Sequence, residues 1–211
     1  MNWKIKAFIQ NQLARLPAGP SQACYYAMQS TMGSFRHPQA DIFLEAAQAF
    51  CGHLARYGRT IVGAVVLEVG TGRRLTLPVI LWLMGANKII TVDLHRYLKQ
   101  SIVSLDIRAL VDALTLPEFA ASKNIKIDRL QSLREMLRGP VDLTRLGHLC
   151  GIEYRAPADA AHLELSEASI DWPHLLHGVR THPGSHTFGY IERGPARAPP
   201  LWLGHPPDRL Q

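Results

Sequence analysis

The chain has 211 residues, of which 47% are hydrophobic and 19% charged, so it can bury a core and does not have the composition of a disordered protein. Its formal net charge is +6, but the basic residues are scattered and form no run of five or six, which argues against a dedicated nucleic-acid-binding surface. The longest apolar stretch, residues 75–86, is too short to span a bilayer, and residues 1–16 lack the unbroken apolar segment of a signal peptide.

Residues 1–60 contain two amphipathic segments with helical periodicity. The first carries apolar residues near helical spacing, namely Trp3, Ile5, Phe8, Ile9, Leu13 and Leu16. In the second, Asp41 is placed to act as the N-cap and Gly58 follows the last turn. We therefore predict an N-terminal helical cap over residues 1–60 that packs on the rest of the domain.

The pattern changes after this cap, where a short apolar run over residues 64–69 is typical of a strand covered on both faces of a parallel sheet. A Gly-Thr-Gly sequence ends the run. A helix is predicted over residues 75–84, and a second apolar run over residues 88–93 predicts another strand. Strand, glycine turn, helix and strand together form a βαβ unit.

A long helical stretch separates the second strand from the third. We predict helices over residues 97–114, 117–137 and 141–149, followed by a third strand over residues 152–155. Because this stretch is long for one crossover, we interpret residues 95–150 as a helical insertion in a core of residues 61–172.

The segment over residues 173–211 is rich in proline and glycine, contains no lysine and shows neither helical nor strand periodicity. Such a composition is a poor former of a hydrophobic core. We expect an irregular, disordered tail in which no further strand continues the sheet.

The glycine turn and an acidic residue after the next strand predict a nucleoside-binding site. Gly70 and Gly72 let the backbone approach a ligand closely, and the helix that follows presents free N–H groups. Asp93 lies 21 residues after Gly72, where a carboxylate can accept hydrogen bonds from both ribose hydroxyls. This carboxylate suits an unphosphorylated ribose.

This part of the chain resembles the class I S-adenosylmethionine-dependent methyltransferases, whose first motif is an acid-x-Gly-x-Gly sequence at the end of the first strand. Here the motif reads Glu68-Val69-Gly70-Thr71-Gly72. The resemblance extends to Ile90-Thr91-Val92-Asp93-Leu94 at the second strand and to Pro157-Ala158-Asp159-Ala160 after the third. It covers about residues 60–171 and implies an α/β fold with a Rossmann-like methyltransferase core, a three-layer sandwich whose sheet is incomplete here.

The resemblance also implies S-adenosylmethionine as the cofactor and methyl transfer as the reaction. The glycine turn would line the methionine and ribose part, Glu68 would support the methionine ammonium and Asp93 would hold the ribose. Asp159 would accept a hydrogen bond from the adenine amino group. The implied cofactor-binding set is Glu68, Gly70, Thr71, Gly72, Asp93, Leu94, Asp159 and Ala160. The resemblance identifies neither a catalytic base nor the methyl acceptor.

The chain departs from the family pattern in two places. Arg74 stands where the family has a third glycine, and the same residue argues against a dinucleotide-binding fingerprint. After Ser169-Ile170-Asp171 the family continues with an apolar fourth strand and a Glu-His pair, which this chain lacks. Codons from His174 onward, read one nucleotide out of register, allow a family-like sequence, so we hypothesise a truncation or frameshift after about residue 171. A core of three strands would be weakly stable and would transfer little or no methyl.

Two other functions stay open. A NAD-dependent oxidoreductase is favoured by the Gly-x-Gly sequence and Asp93, but disfavoured by Arg74 and by Glu68 before the turn. A non-catalytic remnant or interaction protein is favoured by the composition of the tail. The substrate, the partners and the oligomeric state cannot be predicted from the sequence.

Side chains that bind metals or form disulfides give no predicted site. Three widely spaced cysteines suggest neither a disulfide framework nor a zinc site, and they favour a cytoplasmic location. His148 and Cys150 lack a second ligand pair at zinc spacing. Arg73 and Arg74 are interpreted as a solvated helix start.

Overall fold

The structure is a computed structural model that describes residues 37–165 and 169–175. The described helices are α1 (Ala40–Arg56), α2 (Thr76–Leu83), α3 (Gln100–Ala113), α4 (Pro117–Ser122), α5 (Ile127–Met136) and α6 (Leu143–Cys150). The strands are β1 (Val65–Val69), β2 (Lys88–Val92), β3 (Ile152–Arg155) and β4 (Trp172–Leu175), and a short 3-10 helix covers Ala160–His162. The predicted helix over residues 1–16 and the tail beyond residue 175 lie outside the described residues.

The four strands form one parallel sheet in the order β3-β2-β1-β4. Val66 is the register partner of Ile89 on one side and of Trp172 on the other, and Ile89 is in turn the partner of Ile152. An open parallel sheet with helices in its crossovers confirms the α/β class and is compatible with a Rossmann-like fold.

The predicted βαβ unit is present as β1, α2 and β2. Both strands are short apolar runs, and every residue of α2 is buried, which explains why this helix shows no polar face. Pro78 is accommodated because it lies in the first turn of α2, where backbone N–H groups have no partner within the helix. The predicted third strand coincides with β3.

One hydrophobic cluster joins all six described helices to the sheet. The cluster includes Val66 and Ile89, which lie on the same face of neighbouring strands, so the described helices pack against that face. Ile90 and Val92 point to the opposite face and are also buried. Residues of the predicted cap and of the helical insertion share the cluster, as Leu44 and Leu133 show. Among the described residues, no helix is long and apolar enough to cross a membrane.

Two helix predictions need correction. Asp41 is not the N-cap of α1, because Gln39 occupies that position; Asp41 lies in the first turn, where its negative charge still favours the positive end of the helix dipole. The predicted helix over residues 117–137 is divided into α4 and α5. Asn124 adopts φ 57° between them, a left-handed conformation that asparagine tolerates better than most residues and that ends α4.

The expectation of only three strands is also wrong, because residues 172–175 form β4 beside β1. The backbone N–H of Asp171 donates to the carbonyl of Val65 at 3.0 Å, and the N–H of Val65 donates to Oδ2 of Asp171 at 2.8 Å. The indole of Trp172 donates to the carbonyl of Thr60 at 3.2 Å. Strand pairing satisfies backbone groups whatever the side chains are, and Pro173 is tolerated because β4 lies at the edge of the described sheet.

Candidate functional site

The topology brings the ends of β1 and β2 to one edge of the sheet. The chain proceeds from β1 to β2 and β3 in one direction, and β4 then returns to the other side of β1. Ligands of open α/β sheets bind at the carboxyl ends of the strands where the order reverses in this way. The glycine turn follows β1 at this reversal, and Asp93 directly follows β2.

The glycine turn folds over the end of β2. Gly70 and Gly72 have φ values of 93° and 66°, which residues other than glycine rarely adopt. The N–H of Gly70 donates to the carbonyl of Val92 at 2.8 Å, and the N–H of Gly72 donates to Oδ2 of Asp93 at 2.8 Å. The turn and the carboxylate therefore contact each other directly, as the sequence predicts for one site.

The carboxylate of Asp93 keeps capacity for a ligand. Its Oδ2 accepts from Gly72 and its Oδ1 accepts from the N–H of His95 at 3.1 Å. An ionised carboxylate offers about four acceptor positions, so about two remain for ligand hydroxyls. The two backbone bonds fix the direction in which those positions face.

Glu68 lies beneath the turn rather than at its surface. Its side chain is 1% exposed, and its Oε2 accepts a hydrogen bond from the hydroxyl of Thr91, which is also bonded to the hydroxyl of Thr71. Burial raises the pKa of Glu68 to about 7, with the charge of Asp93 acting in the same direction and the Thr91 hydrogen bond opposing it. Through Thr91, the side chain of Glu68 supports the turn from below.

The loop after β3 lies beside Asp93. The N–H of Ala158 donates to the backbone carbonyl of Asp93 at 2.9 Å. Asp159 caps the 3-10 helix that Ala160 begins, accepting from the N–H of Ala161 at 2.9 Å and pairing with His162 at 3.0 Å. The Ala161 bond and then the His162 bond hold the pKa of Asp159 below its usual value.

Leu94 is 62% exposed at the same edge of the sheet. An exposed apolar side chain next to an acid that can hold a ribose offers a contact for the flat face of a base. The structure thus joins Asp93 to the glycine turn by a direct hydrogen bond and joins Glu68 to the turn through Thr91. The Asp159 loop is connected to this group through the backbone carbonyl of Asp93.

The structure corrects the interpretation of Arg74 as part of a solvated helix start. Its side chain is 8% exposed, and its Nη1 lies 2.5 Å from both carboxylate oxygens of Asp106, which is fully buried on α3. Thr76 donates to Oδ2 of the same carboxylate at 2.8 Å. A sequence signal for this pair exists, because Asp106 lies at helical spacing between the apolar Val103 and Leu110.

Sequence reasoning also missed Thr91 as a site residue. A threonine inside a β-branched strand has the pattern of an ordinary core position, and only the structure shows that its hydroxyl bridges Glu68 and Thr71.

Within residues 37–165 and 169–175, no three His, Cys, Asp or Glu side chains are grouped to hold a metal ion. Comparisons of the chain with protein-family models, curated proteins and solved structures find no match.

Proposed function

We propose that this edge of the sheet binds S-adenosylmethionine and that the chain acts as a methyltransferase. The observation that carries the proposal is the 2.8 Å hydrogen bond from the N–H of Gly72 to Asp93. This bond supports the proposal because it joins a backbone turn that a ligand can approach closely to a carboxylate able to accept hydrogen bonds from hydroxyl groups.

The side chains at this edge fit the chemical groups of this cofactor. Asp93 has acceptor positions for two hydroxyls, the exposed Leu94 offers an apolar surface to a base, and the exposed Asp159 offers an acceptor to an exocyclic amine. Glu68, when ionised, supplies a negative charge beneath the turn for an ammonium group. Tyr97, in the loop that follows Asp93, adds a half-buried aromatic ring close to the glycine turn. The guanidinium carbon of Arg73 lies 5.2 Å from the centroid of this ring.

When bound, S-adenosylmethionine supplies a methyl group already activated by a sulfonium leaving group. The protein is therefore required mainly to hold and orient, which a turn fixed by backbone bonds to Val92 and Asp93 can do. The proposal names no general base among the described residues.

Calorimetric titration of the full chain with S-adenosylhomocysteine and, separately, with NAD tests the proposal. We expect binding of S-adenosylhomocysteine, at least tenfold weaker binding in Asp93→Ala, and unchanged binding in Asp112→Ala. The control residue Asp112 is exposed on α3. Binding of NAD in place of S-adenosylhomocysteine would favour the oxidoreductase.

A transfer assay separates the methyltransferase from a binding-only protein. Incubation with methyl-labelled S-adenosylmethionine and a cell extract should label an acceptor with the wild-type chain and not with Asp93→Ala. Binding of S-adenosylhomocysteine without any labelled product would favour the non-catalytic alternative.

A further inference from the structure

Three side chains form a continuous hydrogen-bond chain between the buried acid and the glycine turn. Glu68, Thr91 and Thr71 are each less than a tenth exposed, and each hydroxyl is bonded within the chain. Thr91 is the middle member on β2, so it bonds to β1 below the turn and to the turn itself. A change at Glu68 can therefore reach the backbone segment proposed to contact the cofactor.

Which group donates in each of these hydrogen bonds depends on whether the carboxyl group of Glu68 is protonated. An ionised carboxylate only accepts, so Thr91 must donate to Glu68, and Thr71 must then donate to Thr91 because each hydroxyl carries one hydrogen. A protonated carboxyl can donate to Thr91, which then donates to Thr71. When Glu68 is ionised, the hydroxyl of Thr71 has only acceptor positions left for a ligand. When Glu68 is protonated, the same hydroxyl can donate its O–H to a ligand.

We propose that Glu68 is a positioning residue whose loss or gain of a proton reverses the Glu68-Thr91-Thr71 hydrogen bonds and thereby changes which ligand groups the glycine turn binds. The ionised state favours a cationic or hydroxyl group at Thr71, and the protonated state favours a carboxylate. The identity of the regulated ligand rests on the proposed binding of S-adenosylmethionine. The reversal of the hydrogen bonds does not depend on that proposal.

Charged and titratable groups around Glu68 decide where the switch occurs. Burial raises the pKa of Glu68 to about 7, and among the described side chains the charge of Asp93, after β2, acts in the same direction. His174 on β4 is its register partner across the sheet. Among the residues that the structure describes, the other buried charges are those of the ion pair of Arg74 and Asp106.

Nuclear magnetic resonance of the full chain tests the switch without any ligand. The side-chain carboxyl carbon of Glu68 and the amides of Thr71 and Gly72 are followed from pH 5.5 to 8.5. We expect all three signals to shift with one common midpoint. In Glu68→Gln the amide shifts should disappear, whereas they should persist in Glu135→Gln, which alters an exposed acid on α5.

Variants of the middle residue test whether the signal travels through the hydroxyls. Thr91→Val should leave Glu68 titrating while Thr71 no longer follows it, and Thr91→Ser should restore the coupling. Amides that do not titrate in the wild-type chain, or that still titrate in Glu68→Gln, would overturn the proposal.

A second measurement uses the ligand. If the ammonium of S-adenosylhomocysteine requires ionised Glu68, its affinity should fall about tenfold from pH 8 to pH 6, because the competent fraction of the protein falls by that factor. Glu68→Gln should abolish this pH dependence. Failure of S-adenosylhomocysteine to bind at any pH contradicts the proposed function, while the ligand-free titration still decides the switch.

Discussion

The guanidinium of Arg74 and the carboxylate of Asp106 form an ion pair at 2.5 Å in which the two side chains are 8% and 0% exposed. Arg74 lies two residues after Gly72 of the glycine turn, and Asp106 lies in the middle of α3. The pair therefore ties the candidate cofactor turn to the first helix of the long β2-β3 connection. Burying two charges costs desolvation free energy, so each depends on the other.

Removing the acid of this pair should destabilise the protein strongly. Asp106→Ala removes the carboxylate that pairs with the buried guanidinium of Arg74. The loss of this pairing should lower the unfolding free energy by about 3–5 kcal/mol. Replacing both residues, as in Arg74→Met with Asp106→Leu, should cost less than the single change. Urea denaturation followed by circular dichroism measures both.

Thr76→Val is the matched control for the Asp106 variants. It removes one hydrogen bond to the carboxylate and keeps both charges, so we expect a loss of about 1–2 kcal/mol. If Asp106→Ala were no more destabilising than Thr76→Val, the buried charge of Arg74 would not be the dominant effect.

Buried Glu68 should make stability fall as the pH rises. Its pKa is about 7 in the folded chain and 4.5 as the unperturbed value, so the folded state holds the extra proton between these two values. Stability from this group is fully present below pH 4.5 and is lost as the pH rises through 7. The loss amounts to about 3 kcal/mol from the difference between the two pKa values.

Glu68→Gln removes the titration while keeping an acceptor for Thr91. Relative to wild type, the variant should gain unfolding free energy progressively from pH 5 to pH 8. Denaturation at three pH values measures the difference in unfolding free energy between the variant and wild type. Contributions from other titratable groups are common to both proteins and cancel in this difference. A constant difference across this range would show that Glu68 does not keep its proton in the fold.

Gly151 should tolerate no side chain. It ends α6 with φ 61°, and a Cβ there would lie 2.6 Å from the backbone carbonyl oxygen of Asn87. Gly58 is the matched control, because it has φ 66° and no atom within 4 Å of a built Cβ. Gly58→Ala should cost about 1 kcal/mol from backbone conformation alone. Gly151→Ala should cost about 2–4 kcal/mol because overpacking is added. Equal thermal melting shifts for the two variants would contradict this steric explanation.

The sequence predicted the βαβ unit because its signals are local. β1 and β2 are mostly apolar runs, and glycines with positive φ stand at the ends of β1 and α2. A turn of two glycines and an acid 21 residues later also predict the candidate site from the sequence. Such features depend on residues near each other in the chain.

The remaining features depend on residues far apart. Arg74 pairs with an acid 32 positions later, and Glu68 contacts a hydroxyl 23 positions later. A local pattern marks Asp106 as an acid among apolar neighbours, but it does not identify the partner of either side chain. β4 was missed for a related reason. Its sequence, Trp-Pro-His-Leu, contains a proline, which argues against a strand. Its pairing is fixed by Val65, more than 100 positions earlier.

The start of β4 offers a direct test of this pairing. Asp171→Ala removes the acceptor of the Val65 N–H, so we expect faster hydrogen exchange of the Val65 amide and a loss of about 1–2 kcal/mol. Asp171→Asn retains a carbonyl oxygen at this position and should restore most of the protection. The amide of Ile89, which donates to Gly151 at 2.9 Å, serves as the internal reference because it lies between β2 and β3. If Val65 exchanged equally in wild type and Asp171→Ala, the side chain of Asp171 would not hold β4 against β1.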